Sequence, residues 1–257
     1  MHIPKEIKEF FDIRGNSTLL VKGEAGTGKT LFSLECLKEL ADPKCGLYFS
    51  TRTNIEALLS QYPRISGFIP MANIIDATLS RMALGSKEVP ELFIYDSIPD
   101  FLRYLYVRVK ELSEKGKVVV VLDSFDAVCD VIGIDMEKAS RQLIEFVRNT
   151  NIKLIIVLET GEKSYLDYIV DGVICLERTF EEGRVYRELK ILKLRGVEVR
   201  NPVVPFTLHE GMFRSFNRIA LANAFILKEE DLTTLRNSMM EVLRKFGMNI
   251  GITNAYE

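Results

Sequence analysis

The sequence predicts an α/β fold: a mostly parallel central sheet covered by helices, with an antiparallel extension at one edge and a C-terminal helix. Short apolar runs alternate with amphipathic segments, one apolar run leads through a glycine-rich loop into a helical segment, and two alternating segments follow later in the chain. Strands buried on both faces read as continuous apolar runs, and the helices that cross over them carry one apolar stripe. Together these patterns indicate the α/β class.

Five apolar runs predict core strands, and residues 73–76 are a shorter candidate. The five runs span residues 18–21, 46–49, 118–122, 154–158 and 172–176. Two segments between them show helical spacing. Residues 29–40 place four leucines on one face, and residues 138–147 do the same with Leu143, Ile144 and Val147. Their apolar faces should cover the sheet.

The pattern of apolar residues changes twice in the last third of the chain. Residues 184–195 alternate and lack helix signals, and after Pro202 and Pro205 a short β-like stretch, 205–215, follows. Residues 228–246 then return to helical spacing and end at Gly247. We expect one main domain at 1–218 and a helical appendage at 219–257, which either packs on the chain's own core or contacts a partner.

Composition narrows the class of protein. The 257 residues carry a net charge of -2 and are 47% hydrophobic, which fits a globular domain with no bulk attraction for nucleic acid. The four cysteines lie too far apart for a metal or redox pair, and with two histidines we expect no zinc site. We expect all four cysteines to be buried. No apolar run reaches the length of a membrane span, so we expect a cytoplasmic protein without membrane contact.

The glycine-rich loop is the main functional signal. Residues 23–30 read GEAGTGKT and match GxxxxGK[ST], the phosphate loop or Walker A motif, between a predicted strand and a predicted helix. Glycines let successive N–H groups point at phosphate oxygens, and the helix dipole adds to the attraction. We expect Lys29 to contact the β and γ phosphates and Thr30 to coordinate Mg²⁺. The predicted nucleotide-binding residues are Gly23, Glu24, Ala25, Gly26, Thr27, Gly28, Lys29 and Thr30.

A second acidic position completes the predicted magnesium site. The apolar run at 118–122 ends in Asp123, where phosphate-loop proteins carry an acid that holds Mg²⁺. Asp126 is close in sequence but less well placed. The guanine-reading NKxD pattern is not found in the sequence, which favours ATP over GTP.

Residues 15–218 resemble the KaiC-type members of the RecA-like ATPases. The resemblance rests on the phosphate loop, on VVVVLDSFDAV, on LIIVLET and, most specifically, on DGVICLERTFEEGRVYRELKILKLRGVEVRNPVVPFTLHEGMF. The segments IPKEIKEFF and YFSTRTN are similar to archaeal gas-vesicle regulatory ATPases within that group. The resemblance implies a RecA-like fold in which the Asp123 strand lies one strand removed from the phosphate-loop strand.

The resemblance also implies a role for two cations near the end of the predicted hairpin. Lys193 and Arg195 correspond to cations that reach the ATP of the adjacent subunit in KaiC-like assemblies. Residues two apart on a strand face the same side, so both could stabilise γ-phosphate charge across an interface. This reading implies a homo-oligomer, either a ring or a filament, with ATP between subunits. The alternative is a pair of solvated edge-strand cations.

One departure from the family bears on catalysis. KaiC and RecA-like enzymes usually carry a glutamate just after the second strand, where it orients the attacking water. This chain has Ser50, Thr51, Arg52 and Thr53 there. Glu159, at the end of the 154–158 run, is the candidate replacement, with a structural or sensor role as its alternative. We therefore expect slow hydrolysis and a switch-like use of ATP.

Three functions remain open at this point. The first is an ATPase whose nucleotide state controls oligomerisation or a regulatory protein partner. The second is a DNA-binding recombinase paralogue, which the fold allows but which is not favoured, because the seven Lys or Arg in residues 178–200 alternate with four Glu. The third is a nucleotide-binding scaffold without turnover. An autophosphorylating clock protein is disfavoured, because no acceptor hydroxyl is identifiable near the γ phosphate.

Overall fold

The computed structural model describes residues 2–13, 15–78, 97–181 and 183–216. The chain divides into two compact units, Met1–Ser215 and Phe216–Glu257. The architecture below is that of the first unit. The helix predicted at 228–246 lies outside the described residues, and the predicted division into an ATPase domain and a helical appendage stays a prediction.

A nine-stranded sheet organises the first unit. Its spatial order is β3-β2-β4-β5-β1-β6-β7-β8-β9. Neighbouring strands from β3 to β6 are parallel, and β7, β8 and β9 add to the edge as antiparallel strands. The strands are β1 (Ser17–Lys22), β2 (Gly46–Ser50), β3 (Ile74–Asp76), β4 (Val119–Asp123), β5 (Lys153–Leu158), β6 (Gly172–Glu181), β7 (Arg184–Leu194), β8 (Val203–Thr207) and β9 (Arg214–Ser215).

Seven helices pack on the two faces of this sheet within the described ranges. Helices α1 to α3 contribute to the core on one face, and α4 to α7 contribute to the core on the other. Short 3₁₀ turns occur at Pro63–Gly67, Met71–Asn73 and His209–Gly211. The helices are α1 (Lys5–Ile13), α2 (Lys29–Leu40), α3 (Ile55–Gln61), α4 (Ile98–Ser113), α5 (Phe125–Ile132), α6 (Met136–Arg148) and α7 (Leu166–Ile169).

The apolar runs form strands because each needs two buried faces. In β4, Val119 and Val121 join the core with α1 to α3, whereas Val120 and Leu122 join the core with α4 to α7. Successive side chains of a strand point to opposite faces, so a run without polar interruption suits a central strand covered on both sides. The sheet therefore divides the interior into two apolar clusters.

The predicted fold class is confirmed, and most predicted elements lie within two residues of the observed ones. The 29–40 helix begins and ends at the predicted residues. Two outcomes differ in detail. Strand β6 continues to Glu181 and forms a long antiparallel ribbon with β7, and the predicted β-like stretch 205–215 divides into β8, a 3₁₀ turn and β9. The four cysteines are free and buried, as predicted.

Candidate functional site

The phosphate loop connects β1 to α2 at the carboxyl end of the parallel strands. Gly23 has φ +150, and a Cβ there would lie 2.3 Å from the Leu176 carbonyl oxygen of β6, so only glycine fits this position. The Gly23 N–H donates to the Thr160 carbonyl at 2.9 Å. At Gly28, with φ +105, a Cβ would lie 2.8 Å from Leu208. The loop is thus held between the β5 and β6 sides of the sheet.

Lys29 is buried at the first position of α2, and its ammonium turns back into the loop. Its Nζ donates to the carbonyl oxygens of Gly23 at 2.8 Å and Glu24 at 2.7 Å. It also forms an ion pair with Glu159, whose Oε2 lies 3.0 Å away. These acceptors hold the ammonium against the phosphate loop, and its predicted contact with the β and γ phosphates stays a prediction.

Thr30 and Asp123 meet, as the predicted magnesium site requires. The Thr30 hydroxyl donates to Oδ2 of Asp123 at 2.7 Å. Asp123 ends β4, which lies beyond β5 from β1, so the predicted separation by one strand is confirmed. The oxygen atoms of a hydroxyl and a carboxylate are ligands that Mg²⁺ prefers. These two side chains therefore fit a magnesium ion.

Burial raises the pKa of the Asp123 carboxyl, although hydrogen bonds from Tyr48 and Thr30 oppose this effect. The Tyr48 hydroxyl donates to the same Oδ2 at 2.6 Å. A carboxylate that is costly to hold charged in a buried place gains from a nearby cation. The electrostatics of Asp123 therefore also fit a metal ligand.

Tyr48 is not among the site residues that the sequence predicts. The contact between Tyr48 and Asp123 arises because β2 pairs in parallel with β4. This pairing places Tyr48 beside Val121, two residues before Asp123. One signal could have found it: the strand GLYFS carries a tyrosine in an otherwise buried run, and a buried tyrosine hydroxyl usually needs a hydrogen-bond partner.

Arg52 is one of the residues directly after β2, where KaiC and RecA-like enzymes usually carry a glutamate, and it contacts the segment that follows β4. Its Nε donates to the Ser124 hydroxyl at 3.0 Å, and its NH2 forms an ion pair with Asp126 at 2.7 Å. Thr51 also bonds to Ser124, through its hydroxyl and the Ser124 backbone. The loop after β2 is thus fastened to the loop after β4, and Glu159 is the carboxylate found beside Lys29.

Lys193 lies near the end of β7, which pairs with the start of β6, and Arg195 follows β7, whereas the phosphate loop lies against the middle of β6. Lys193 pairs with Val173 at the start of β6, whereas Gly23 lies against Leu176. Lys193 Nζ donates to the Asp167 carbonyl at 2.7 Å. Arg195 contacts Asp171 at 3.4 Å and the Tyr168 carbonyl at 3.3 Å. Both cations contact the segment 167–171, and among the described residues neither contacts the phosphate loop; their predicted role at the ATP of a neighbouring subunit stays a prediction.

His2, Glu35 and Glu39 form a group of metal-ligand types outside the phosphate-loop site. His2 Nδ1 lies 3.3 Å from Glu35, whose carboxylate is also 3.1 Å from Lys38. Glu39 forms an ion pair with Lys8. Because two lysines already neutralise the two glutamates, we interpret the group as an ion-pair network that joins the start of the chain to α2.

Comparison with known proteins agrees with this geometry. Residues 7–192 match the family described as GvpD gas vesicle protein, P-loop domain. The chain belongs to this family. Among its relatives, GvpD2 of Halobacterium salinarum is 32% identical over 238 residues, which cover 89% of this chain and 47% of that protein. The circadian clock oscillator protein KaiC of a Nostoc species is 29% identical over 212 residues, covering 74% of this chain and 38% of KaiC.

A solved structure supports the same fold. The crystal structure of a KaiC-like protein from Pyrococcus horikoshii has a TM-score of 0.62 and 20% identity, covering 79% of this chain and 91% of that one. The predicted resemblance to KaiC-like and gas-vesicle regulatory ATPases is thus confirmed. The family member described here spans about half the length of GvpD2 and less of KaiC. Among the described helices, none has the length and apolarity that a membrane crossing demands.

Proposed function

We propose that the chain binds ATP with Mg²⁺ at residues 23–30 and hydrolyses it slowly, so that the nucleotide state controls assembly of copies of the chain or contact with a regulatory protein. The convergence of Lys29, Thr30 and Asp123 at the phosphate loop supports this proposal most directly. These are the cation, the hydroxyl and the carboxylate that a metal-bound triphosphate needs. The cytoplasm, where ATP and Mg²⁺ are available, is the proposed location.

The proposed roles follow from chemistry. The Lys29 ammonium binds phosphate oxygens in place of the Gly23 and Glu24 carbonyls, and the loop N–H groups donate to the same oxygens. Thr30 and Asp123 would hold Mg²⁺, which when bound neutralises charge on the phosphates. Glu159 is the proposed residue that orients the attacking water, because its carboxylate already lies beside Lys29.

We assign Lys193 and Arg195 to the nucleotide of a neighbouring copy. Their contacts are with residues 167–171 and not with the described phosphate loop of their own chain, which supports a role across an interface. The Arg195 side chain is 46% exposed and its contacts with Asp171 and Tyr168 are long, which leaves the guanidinium available to a partner. This assignment makes the proposed working unit a homo-oligomer with ATP between subunits.

A scaffold that binds ATP without turnover is the second candidate. The ion pair between Arg52 and Asp126 favours it, because a cation tied to a neighbouring loop stands where related enzymes carry a water-orienting carboxylate. Under this alternative, Glu159 serves only to hold Lys29.

Steady-state ATP turnover with Mg²⁺, measured together with light scattering for mass, separates the two candidates. The variants are Lys29→Ala and Arg195→Ala, and Arg200→Ala is the control. The Arg200 side chain is exposed, and Glu198 is its contact among the described residues. Turnover lost in the first two, with wild-type mass rising on ATP addition, supports the interfacial ATPase. Tight ATP binding with no wild-type turnover and no effect of Arg195→Ala would leave the scaffold.

A further inference from the structure

Two arginines lie directly opposite each other on the β6–β7 ribbon, and one of them lies next to the phosphate loop. Arg178 of β6 pairs with Arg187 of β7, two residues beyond the pair of Leu176 with Leu189. Leu176 and Leu189 belong to the apolar cluster that contains the buried residues of α2. Residues two apart on a strand share a face, so Arg178 and Arg187 point to the side of the sheet that carries α2 and the phosphate loop.

The Arg178 guanidinium lies close to Gly26 of the loop. A Cβ built on Gly26 would lie 3.1 Å from NH1 of Arg178, 3.8 Å from its Cζ and 3.9 Å from its NH2. Arg178 reaches the loop from β6, whereas Glu159 and Asp123 reach it from β5 and β4, on the opposite side of β1. The loop is thus flanked by carboxylates on one side and by the Arg178 guanidinium on the other.

The arginine pair lacks a compensating anion in the part of the chain that the structure describes. Neither guanidinium forms an ion pair or a hydrogen bond with a described residue, and Nε of Arg187 is buried without a hydrogen-bond partner. Arg178 stacks near the Phe180 ring, 5.1 Å from its centroid, which occupies its face but not its N–H donors. The nearby Glu177 is paired with Lys190.

Like charges placed directly opposite on two strands repel, and a buried donor without a partner is costly. An arrangement with both features is favourable when an anion binds between the donors. Guanidinium groups suit phosphate oxygens in particular, because their planar donors bind them in pairs.

We propose that Arg178 and Arg187 are further nucleotide-binding residues. They bind the phosphates of the nucleotide held by the phosphate loop of the same chain, on the side of that loop opposite to Asp123. The proposal rests on the proposed function, since the anion is the triphosphate in that loop. It is distinct from the role proposed for Lys193 and Arg195, which is to act on the nucleotide of a neighbouring copy.

The test measures dissociation constants for ATP and for inorganic tripolyphosphate, both with Mg²⁺, by calorimetry. The variants are Arg178→Ala, Arg178→Lys and Arg187→Ala, and Arg184→Ala is the matched control, an exposed arginine at the first position of β7 in the same ribbon. Losing a charge-assisted hydrogen bond is expected to weaken binding about 10- to 100-fold. We expect this loss for Arg178→Ala with both ligands, a smaller loss for Arg178→Lys and none for Arg184→Ala.

Thermal unfolding without nucleotide separates a binding role from a structural one. Because removal of one arginine relieves the repulsion, Arg178→Ala should unfold at the wild-type temperature or slightly above it. Unchanged affinities together with a lower unfolding temperature would overturn the proposal, as would a loss confined to ATP and absent for tripolyphosphate.

Two further outcomes contradict the proposal in distinguishable ways. If Lys29→Ala loses ATP affinity but Arg178→Ala and Arg187→Ala keep it, the arginine pair is not part of the site and the proposed function stands. If the wild-type protein binds no nucleotide, both proposals fail. Loss of binding to a single-stranded oligonucleotide, with ATP affinity intact, would assign the pair to nucleic acid instead.

Discussion

The Glu159 carboxylate lies 3.0 Å from the Lys29 ammonium, so the cation of the phosphate loop is shared between loop carbonyls and an acid from a different strand. Lys29 follows β1 and Glu159 follows β5, and the two strands are parallel neighbours with Lys22 opposite Leu158. Any phosphate that binds Lys29 must displace or accommodate this carboxylate. Glu159 is therefore placed to respond to the nucleotide.

Glu159→Gln tests this relationship. Because the neutral amide neither holds Lys29 by charge nor repels phosphate, ATP affinity is expected to rise about 3- to 10-fold. If Glu159 orients the attacking water, turnover should fall at the same time. Binding by fluorescence titration and single-turnover hydrolysis measure the two effects separately. Glu162→Gln, an exposed change in the loop after β5, is the control, and an unchanged affinity in Glu159→Gln would argue against the competition for Lys29.

Asp123→Asn should stabilise the protein in the absence of Mg²⁺. The pKa of Asp123 is raised from 3.8 by burial, so the folded protein holds a proton more tightly than the unfolded chain. The contribution of Asp123 to the free energy of unfolding therefore falls as the pH rises from about 4 through the raised pKa. The decrease is at most about 1.4 kcal/mol per pH unit. The variant should therefore gain stability at pH 7 and lose that advantage near pH 4.

Chemical denaturation across this pH range measures the effect, and Asp130→Asn is the matched control at an exposed position. The same Asp123→Asn variant should lose the increase in ATP affinity that Mg²⁺ gives the wild type. A variant that is less stable at pH 7 and still responds to Mg²⁺ would remove Asp123 from the metal site.

Mixing two inactive variants tests the assignment of Lys193 and Arg195 to a neighbouring copy. Lys29→Ala keeps the cations but loses the phosphate loop's own lysine, and Arg195→Ala keeps the loop. If one copy acts on the nucleotide of the next, an equal mixture should recover turnover up to about a quarter of the wild-type rate, because two random choices must both be correct. No recovery, in a mixture that light scattering shows to be oligomeric, would contradict a role across the interface.

The lowered pKa of Lys153 predicts that the free energy of unfolding rises at alkaline pH. Burial, helped by the charge of Lys117, lowers its pKa from 10.5 to about 8. Between these two values the unfolded chain binds more protons than the folded protein, so unfolding free energy rises with pH, by at most about 1.4 kcal/mol per pH unit. Lys153→Met should abolish this rise between pH 8 and 10, whereas Lys110→Met, at an exposed position of α4, should keep it. Urea unfolding at several pH values measures the slopes, and parallel slopes for wild type and Lys153→Met would contradict the prediction.

Features that depend on residues adjacent in sequence could be predicted well. The helix at Lys29–Leu40 needed only its leucine spacing, and the phosphate loop needed only the order of glycines before Lys29. By contrast, the sequence did not predict helices α1, α3, α4, α5 and α7. The role of their apolar residues is apparent only from the strands that they cover. The length of β6 was underestimated, since its outer part is stabilised by hydrogen bonds to β7 and not by burial.

The sequence by itself determined that the chain has a phosphate loop, an acid at the end of a later strand and an α/β fold, because each of these follows from a short contiguous pattern. Only the tertiary structure decided that Tyr48 shares Asp123 with Thr30, that Glu159 holds Lys29 and that Arg178 lies against Gly26 opposite Arg187. Those contacts depend on which strands are neighbours and in what register. Pairing of strands is set by the packing of the whole sheet, and a shift of one residue would turn each of these side chains to the other face.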